Sequence, residues 1–494
     1  MDSKTAIAAA PIEIELKFAI DPADIAAFRR LPFLRDVPAT ETALSATYFD
    51  TEDHALYHAG YTLRLRRSAK GVTQTLKGPS TGGAGLFARS EAEHLVEGDA
   101  LDAALLAGDL PEELRLATSG RLAPIFTIET ERTEWLLRSG ASLISLCADS
   151  GAIEAAGQRQ AVAEIELEVK EGPVEAAVAL AQTAAAQVAL HLEPLTKSDR
   201  GYRLIGVERL RRSRGALPPA QSFTATLRRI AASLLNDIAL QRPVVAASGE
   251  VEAVHHMRVL LRRLRCLLDI VRETMDVPGI ATAMRTLRRA FRRLGAVREI
   301  DILTAALPLN SEAADPALAR LAEARMIAMA RAARTLASRR FGRAQLRLLA
   351  FATATDDAAE RPGRIQKELG RVLRRRWRAL REAGAPGPQS PAARHRLRIK
   401  AKTLRYASDF AEDLYPSEKA LKQRKRLQSS VRTLQETLGQ LNDERTLAGI
   451  AVDLLGKPAA VSLGLAEGGP VDPATLAAAD RAYQALVRAK PYWR

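Results

Sequence analysis

Several short stretches alternate charged and aliphatic residues in a way that gathers charge on one face of an extended chain. In Ile12-Glu13-Ile14-Glu15-Leu16-Lys17-Phe18, a period of two puts Glu13, Glu15 and Lys17 on one face and four apolar side chains on the other. Leu63-Arg64-Leu65-Arg66 does this with bases, Arg89-Ser90-Glu91-Ala92-Glu93 with both signs, and Glu164-Ile165-Glu166-Leu167-Glu168-Val169-Lys170 mainly with acids. One such strand is an ordinary solvated sheet face. Acidic and basic strands recurring in one region point instead to polar faces converging inside a wet barrel, with carboxylates holding cations and bases holding an oxyanion. A second pattern lies further along. His255, Arg258, Arg262 and Arg265 fall at i, i+3, i+7 and i+10, a single stripe on a helix, and His395, Arg398, Lys402 and Arg405 repeat it. Like charges on adjacent turns repel, so a stripe written twice points to a polyanion rather than to a solvated face.

The elements that must position these groups follow from periodicity. Period-two segments run from Ile12 to Phe18, Tyr61 to Arg67, Thr73 to Lys77, Arg89 to Leu95, Phe126 to Leu137, Ser142 to Asp149 and Ala163 to Lys170, separated by Gly, Pro and Asp turns. Helical stretches are expected at Pro22 to Arg30, Ala100 to Leu106 and Pro173 to Val188. From Ser222 onward Ala, Leu and Arg recur at helical spacing, with breaks expected at Pro243, Pro278, Pro308 and the Pro386 to Pro391 loop. The expected fold class is α+β: a mostly antiparallel β domain with accessory helices over residues 1–210, a charged, proline-paired linker over 211–221, and an all-α domain over 222–494. That second domain repeats itself. The segment from His255 to Arg265 matches that from His395 to Arg405, and Leu294-Gly295-Ala296-Val297-Arg298-Glu299 resembles Leu438-Gly439-Gln440-Leu441-Asn442-Asp443, as two halves related by a pseudo-twofold would.

The net charge of +15 divides unevenly. Residues 1 to 215 hold 24 Lys and Arg against 31 Asp and Glu, a net of −7, which leaves +22 on the remainder. The anion-attracting field therefore belongs to the helical part. Aromatics are 4% of the chain, too few for the stacking surfaces of single-strand nucleic-acid grooves, so nucleic acid is disfavoured as the partner. Cys147 and Cys266 are far apart and lack CxxC spacing, which speaks against a disulfide framework or a thiolate metal site. No apolar run is long enough to span a bilayer and no signal-peptide pattern opens the chain, so a soluble cytoplasmic protein is expected.

Glu13-x-Glu15-x-Lys17 resembles the ExExK signature of CYTH domains, the triphosphate tunnel metalloenzymes. Supporting segments follow in order: Tyr48-Phe49-Asp50-Thr51, Leu63 to Arg66, Thr75-Leu76-Lys77-Gly78, Arg89 to Glu93, Glu131-Arg132-Thr133, Asp149, Glu164 to Glu168, and Lys197-Ser198-x-Arg200, covering nearly all of residues 11 to 205. The resemblance implies an eight-stranded tunnel in which acids bind two divalent metals, usually Mg²⁺ or Mn²⁺, and bases grip a linear triphosphate. Glu13, Glu15, Glu91, Glu93, Asp149, Glu166 and Glu168 are then the candidate ligands, with Glu164 a weaker member, since hard cations take carboxylate oxygens. Arg64, Arg66, Arg132 and Arg200 offer forked donors to phosphate, Lys17, Lys77 and Lys197 compact charges, and Arg89 belongs with them. Glu13, Glu15 and Lys17 are expected at the catalytic centre, where one metal neutralises the triphosphate and the other activates water. Inorganic triphosphatases, thiamine triphosphatases, RNA triphosphatases and a class of adenylate cyclases share the tunnel. Inorganic triphosphate is favoured here, because Trp135 and Tyr48 are the few rings near the motifs and both read as core.

The two His-headed stripes with the LGAVRE and LGQLND segments resemble the CHAD domain, a helical module often fused behind CYTH; the match spans roughly residues 220 to 450. It implies inorganic polyphosphate as a partner and, in some members, location on polyphosphate granules. One departure is Arg298-Glu299-Ile300-Asp301, where the family commonly has Arg-Asp-x-Asp. The competing readings are a binding protein with a vestigial tunnel, a triphosphatase for an organic triphosphate, and a nucleic-acid binder. Residues after about 455 carry no functional signal.

Overall fold

The computed structural model describes residues 12–209, 222–308, 314–354, 364–387, 389–411, 414–466 and 472–493. The expected linker at 211–221 lies outside the described residues. Two compact units emerge. The first comprises residues 1–215 with segments 235–240 and 337–354, and the second the rest of the helical region.

In the first unit eight strands are consecutive neighbours in space: β1 (Ile12–Ala19), β2 (Ala39–Asp50), β3 (Thr62–Ser68), β4 (Gly71–Lys77), β5 (Leu86–Val96), β6 (Ala123–Ser139), β7 (Ser142–Ala155) and β8 (Gln158–Glu171). Their order is β5-β4-β3-β2-β6-β7-β8-β1, and β1 also pairs with β5, closing an antiparallel barrel without a free edge. A two-residue strand, β9 (His191–Leu192), pairs with Phe18 and Ala19 of β1, continuing the flank that β5 takes from Ile12 to Leu16. The period-two reading misses β2, whose inward positions Thr42, Leu44, Ala46 and Tyr48 carry no charge and so give the alternation little contrast.

Alternation here is inverted relative to a soluble sandwich, with charge inside and apolar residues outside. Leu16 and Phe18 point outward yet are fully buried, because helices cover that face. Among these are α1 (Ile25–Arg29), whose Phe28 meets the Trp135 ring edge-on at 6.5 Å, and α5 (Val174–Ala184), which packs on β1 and β8. Shorter helices α2 (Ala55–Ala59), α3 (Ala103–Asp109) and α4 (Glu112–Thr118) fill the connections. Trp135 is thus core, as its spacing predicts.

One end of the barrel is filled by apolar side chains. Tyr48, Phe126, Ile128, Ile153 and Val162 pack there with Tyr57 and with Tyr202 of α6 (Lys197–Leu204). Tyr202 stacks on Tyr57 at 3.8 Å and meets Phe126 at 5.1 Å. The buried Asp50 carboxylate ties this assembly together. It accepts the backbone N–H groups of Leu56 and Tyr57 and the Tyr202 hydroxyl, at 2.9, 3.0 and 2.7 Å. Helix α6 starts at a capping box in which Thr196 Oγ1 accepts from Asp199 N and Asp199 accepts from Thr196 N. Lys197 is therefore held in the first turn.

The second unit draws on α7 (Phe223–Ser248), α8 (Val251–Thr274), α9 (Ile280–Ala305) and α10 (Ala314–Leu336), then α12 (Arg364–Glu382), α13 (Pro391–Phe410), α14 (Glu418–Leu455), α15 (Lys457–Ser462) and α16 (Pro473–Arg488). Between them, α11 (Arg339–Thr353) groups with the first unit, packing on α5 and β9. Gly342 permits that approach, since a Cβ there would stand 2.0 Å from the Leu190 carbonyl oxygen. The expected break at Pro243 does not occur: α7 continues through it, forgoing one backbone bond inside a 26-residue helix. In the second unit α9 packs against α8 and α10 as α14 packs against α13 and α16, and α8 meets α13 while α9 meets α14. Equivalent helices facing each other is the arrangement a pseudo-twofold requires.

Gly201 tests the plug. A Cβ there would lie 2.4 Å from the Phe126 ring, which is itself packed on both sides. Gly201→Ala should therefore cost about 1–3 kcal/mol by overpacking, read as a lower melting temperature of the barrel.

Candidate active site

The open part of the barrel encloses a cavity of about 920 Å³. Cross-strand register assembles its wall. Lys17 stands opposite Glu166 and Glu15 opposite Glu168 between β1 and β8, Glu13 opposite Arg89 between β1 and β5, and Lys77 opposite Glu91 between β4 and β5. Tyr48 faces Arg64 between β2 and β3, and Arg132 faces Asp149 between β6 and β7. Every sequence-predicted acid, Glu13, Glu15, Glu91, Glu93, Asp149, Glu166 and Glu168, lines this one cavity, as do Lys17, Arg64, Arg66, Lys77, Arg89, Arg132 and Lys197. Arg200 does not line it. The residue lies behind the wall, 9% exposed, and its guanidinium grips Glu164.

Acids and bases neutralise each other throughout. Arg132 makes a two-pronged pair with Asp149 at 2.8 and 2.7 Å and reaches Glu166 at 2.6 Å. Lys197 bonds Asp149 at 2.6 Å, Glu166 at 3.0 Å and also Glu164, while Lys17 bonds Glu166 and lies 3.1 Å from Glu15. Lys77 holds Glu13 at 2.6 Å and Glu91 at 3.1 Å, Arg89 joins Glu15 at 2.6 Å, and Arg66 joins Glu93 at 2.8 Å near the mouth. Glu168 pairs with the exposed Lys170 at 2.6 Å. Among the described residues Arg64 alone of the eight candidate bases has no carboxylate partner; its Nη1 lies 3.5 Å from the Tyr48 hydroxyl.

Burial by itself would raise the Glu166 carboxyl, but Lys17, Lys197 and Arg132 hold it well below the usual range. Asp149 is likewise lowered against its burial by Lys197 and Arg132, and Glu13 and Glu91 by Lys77. The ammonium groups of Lys17 and Lys197 are raised in spite of burial, by Glu15 and Glu166 and by Asp149 and Glu164 respectively. Burial pushes the Cys147 thiol, on the same wall, up to about 12, so it stays protonated.

Asp149, Glu164 and Glu166 each offer a carboxylate oxygen within 4.8 Å of the others, a donor set suited to a hard divalent cation. Glu164, the weaker member by sequence, is thus one of the three acids of the cluster and is fully buried. Its alternation with Glu166 and Glu168 signals the inward face; its depth comes from α6, which brings Lys197 and Arg200 onto it.

The helical unit holds the second set. His255 and His395 are both exposed, and Arg258, Arg262, Arg265, Arg398, Lys402 and Arg405 are all half-buried, so the two stripes share one burial pattern. Arg258, Arg262 and Arg265 surround the Phe291 ring at 4.5, 5.2 and 5.1 Å, and among the described residues none of them has a carboxylate partner. Burial and the neighbouring Arg262 push the Arg258 guanidinium down to about 10. The repeated glycines now have a reason. A Cβ on Gly295 would stand 2.8 Å from Arg258 Nη1, and one on Gly439 3.2 Å from Arg398 Nη2, so each glycine lets the matching arginine lie against the next helix. The second half differs in detail, Arg405 donating to Gln435 at 3.0 Å.

Residues 11–202 match the CYTH domain family and residues 229–451 the CHAD domain family. The chain carries a CYTH domain followed by a CHAD domain. An inorganic triphosphatase of Haemophilus influenzae is 33% identical over 194 residues, covering 39% of this CYTH–CHAD chain and 54% of that protein. The chain thus spans about half the length of that relative. An uncharacterized protein of Mycobacterium tuberculosis is 27% identical over 433 residues, covering 80% of this chain and 82% of its own. The crystal structure of the CHAD domain from Ricinus communis is 26% identical and covers 56% of this chain and 96% of that one, with a TM-score of 0.45. Among the described residues no helix is long and apolar enough to cross a membrane.

The paired charges set a pH dependence. The lowered carboxyls contribute stability above their ordinary range near pH ~4, lost as pH falls through their depressed values. The raised lysines contribute below ~10.4, lost only as pH climbs through their elevated values. The CYTH barrel should melt at a nearly constant temperature between about pH 5 and 9 and lose stability on the acid side first, as checked by melting curves across pH.

Proposed function

We propose that the CYTH domain hydrolyses inorganic triphosphate with the help of divalent ions, Mg²⁺ or Mn²⁺, and that the CHAD domain binds inorganic polyphosphate. The observation that carries the reading is the tunnel wall itself, where fixed carboxylates and fixed bases meet around one cavity with few rings on it. The similarity to the inorganic triphosphatase of Haemophilus influenzae supports the same substrate.

The chain's own groups divide the task. Arg64, which makes no ion-pair contact with a carboxylate among the described residues, is the first to receive a phosphate oxygen. Arg66, Lys77, Arg89, Arg132 and Lys197 follow by exchanging carboxylate oxygens for phosphate oxygens of the same charge and geometry. Asp149, Glu164 and Glu166 form one carboxylate group for a divalent ion, and Glu13, Glu15 and Glu91 supply further oxygens. Bound there, the ions supply charge neutralisation and an acidified water. Lys17, held between Glu15 and Glu166, keeps those two carboxylates in place. Glu93 and Glu168, nearer solvent, hold Arg66 and Lys170. The apolar plug around Tyr202 shuts one end, so a linear triphosphate enters from the other.

In the CHAD domain, arginines gathered without neutralising acids are an uncompensated positive surface, and closely spaced phosphates are its natural complement. The cytoplasm, with docking on polyphosphate granules, is the setting this reading fits.

Phosphate release from triphosphate, ATP and long-chain polyphosphate, with each metal and with chelator, tests the proposal. Triphosphate should be cleaved fastest, and chelator should abolish cleavage. Glu15→Gln and Glu166→Gln should lower kcat by about 10²-fold or more, whereas Arg64→Ala should chiefly raise KM. Arg258→Glu with Arg262→Glu should weaken polyphosphate binding at least tenfold and flatten its salt dependence, leaving triphosphate hydrolysis unchanged. No hydrolysis with either metal would leave polyanion binding as the function.

A further inference from the structure

The helical unit contains another cavity, of about 630 Å³, whose lining comes from α12, α16 and the segment that follows α16. Its composition is unusual for this chain. The sequence has three tryptophans in all, yet Trp377 and Trp493 both line this cavity, together with Tyr483. Arg374, Arg378 and Arg381 recur along α12 at i, i+4 and i+7 and line it too, with Glu382 as the acid among the lining residues. Other arginines of α12 are engaged, Arg371 with Glu368 and Arg375 and Arg376 with Glu273. Among the described residues Arg374, Arg378 and Arg381 have no carboxylate partner.

The aromatic wall is fixed from behind. The Tyr483 hydroxyl donates to the Arg381 carbonyl at 2.6 Å. Trp493 is anchored through its neighbour Tyr492, which shares a hydrogen bond with the Ser408 hydroxyl at 2.9 Å. Trp377 is 9% exposed and its indole N–H meets no acceptor among the described residues. A buried donor left unpaired is costly, and an oxygen or ring nitrogen of a ligand would satisfy it.

Flat ring faces and forked cations on one cavity of small-ligand size call for a ligand with both an aromatic ring and phosphate. We propose that this cavity binds a nucleotide, with its base against the wall formed by Trp377 and Trp493, stacked on the Arg381 guanidinium that lies 4.6 Å from the Trp377 ring centre, and its phosphates on Arg374 and Arg378. A bare phosphate chain would use the arginines alone, and an uncharged ring would leave Arg374 and Arg378 idle.

The experiment is calorimetric titration of ADP, which lacks a triphosphate, into the full chain. Saturable binding should weaken at least tenfold in Arg374→Glu/Arg378→Glu, whose side chains are exposed and not needed for folding, and also in Trp377→Phe, which keeps a ring and removes the N–H. Inorganic diphosphate should bind at least tenfold more weakly than ADP. Unchanged helix content by circular dichroism and unchanged triphosphate hydrolysis would show that the variants are folded. Absence of saturation by ADP, or ADP affinity unaltered in both variants, would overturn the proposal. Diphosphate binding as tightly as ADP and weakening equally in the arginine variant would overturn it as well, reducing the cavity to a bare anion site.

Discussion

Mutual neutralisation of carboxylates and bases inside the barrel is the constraint on which the rest of the structure depends. Glu166 touches Lys17, Arg132 and Lys197, and none of these charges could be buried alone. A closed antiparallel barrel satisfies the backbone of all eight strands while turning half of the side chains inward, which is how so many ionic groups are held at fixed separations. Those separations favour ionic chemistry. In the proposed function, a phosphate oxygen takes the place of a carboxylate oxygen bound to a guanidinium, and a divalent ion takes the place of an ammonium among three carboxylates.

The outer apolar face and the plug follow from the same inversion. Because charge occupies the interior, Leu16 and Phe18 must be covered from outside, and the accessory helices are there to do it. Asp50 fixes Tyr202, Tyr202 fixes α6, and α6 delivers Lys197 to the acids and Arg200 to Glu164. The CHAD domain handles charge oppositely. Among the described residues Arg258, Arg262 and Arg265 meet Phe291 rather than forming ion pairs with acids.

Much of the tunnel is legible in the sequence because period-two alternation states which side chains share a face, and the inward face is nearly all charged. Fourteen of the fifteen predicted tunnel groups line one cavity, thirteen of them on strands for that reason and Lys197 from the first turn of α6. Arg200 departs because helical spacing on α6 turns it behind the wall that Lys197 faces, and Glu164 gains importance only once α6 is placed on it. Strand β2 is silent because its inward residues are uncharged, and Pro243 misleads because α7 continues past it. In the helical part the repeat of Leu-Gly is readable as repetition. Its cause, an arginine lying across each glycine, is a contact between helices that spacing within one helix does not contain.

The central claim is that triphosphate and divalent ions must replace the internal ion pairs together, since either one alone would strand buried charges. Binding of a non-hydrolysable imido analogue of triphosphate, measured with and without Mn²⁺ and corrected for the complex the two form in solution, tests this most directly. The account predicts that each ligand tightens the other at least tenfold on the protein, by linkage. Equal analogue affinity with and without Mn²⁺ would contradict it.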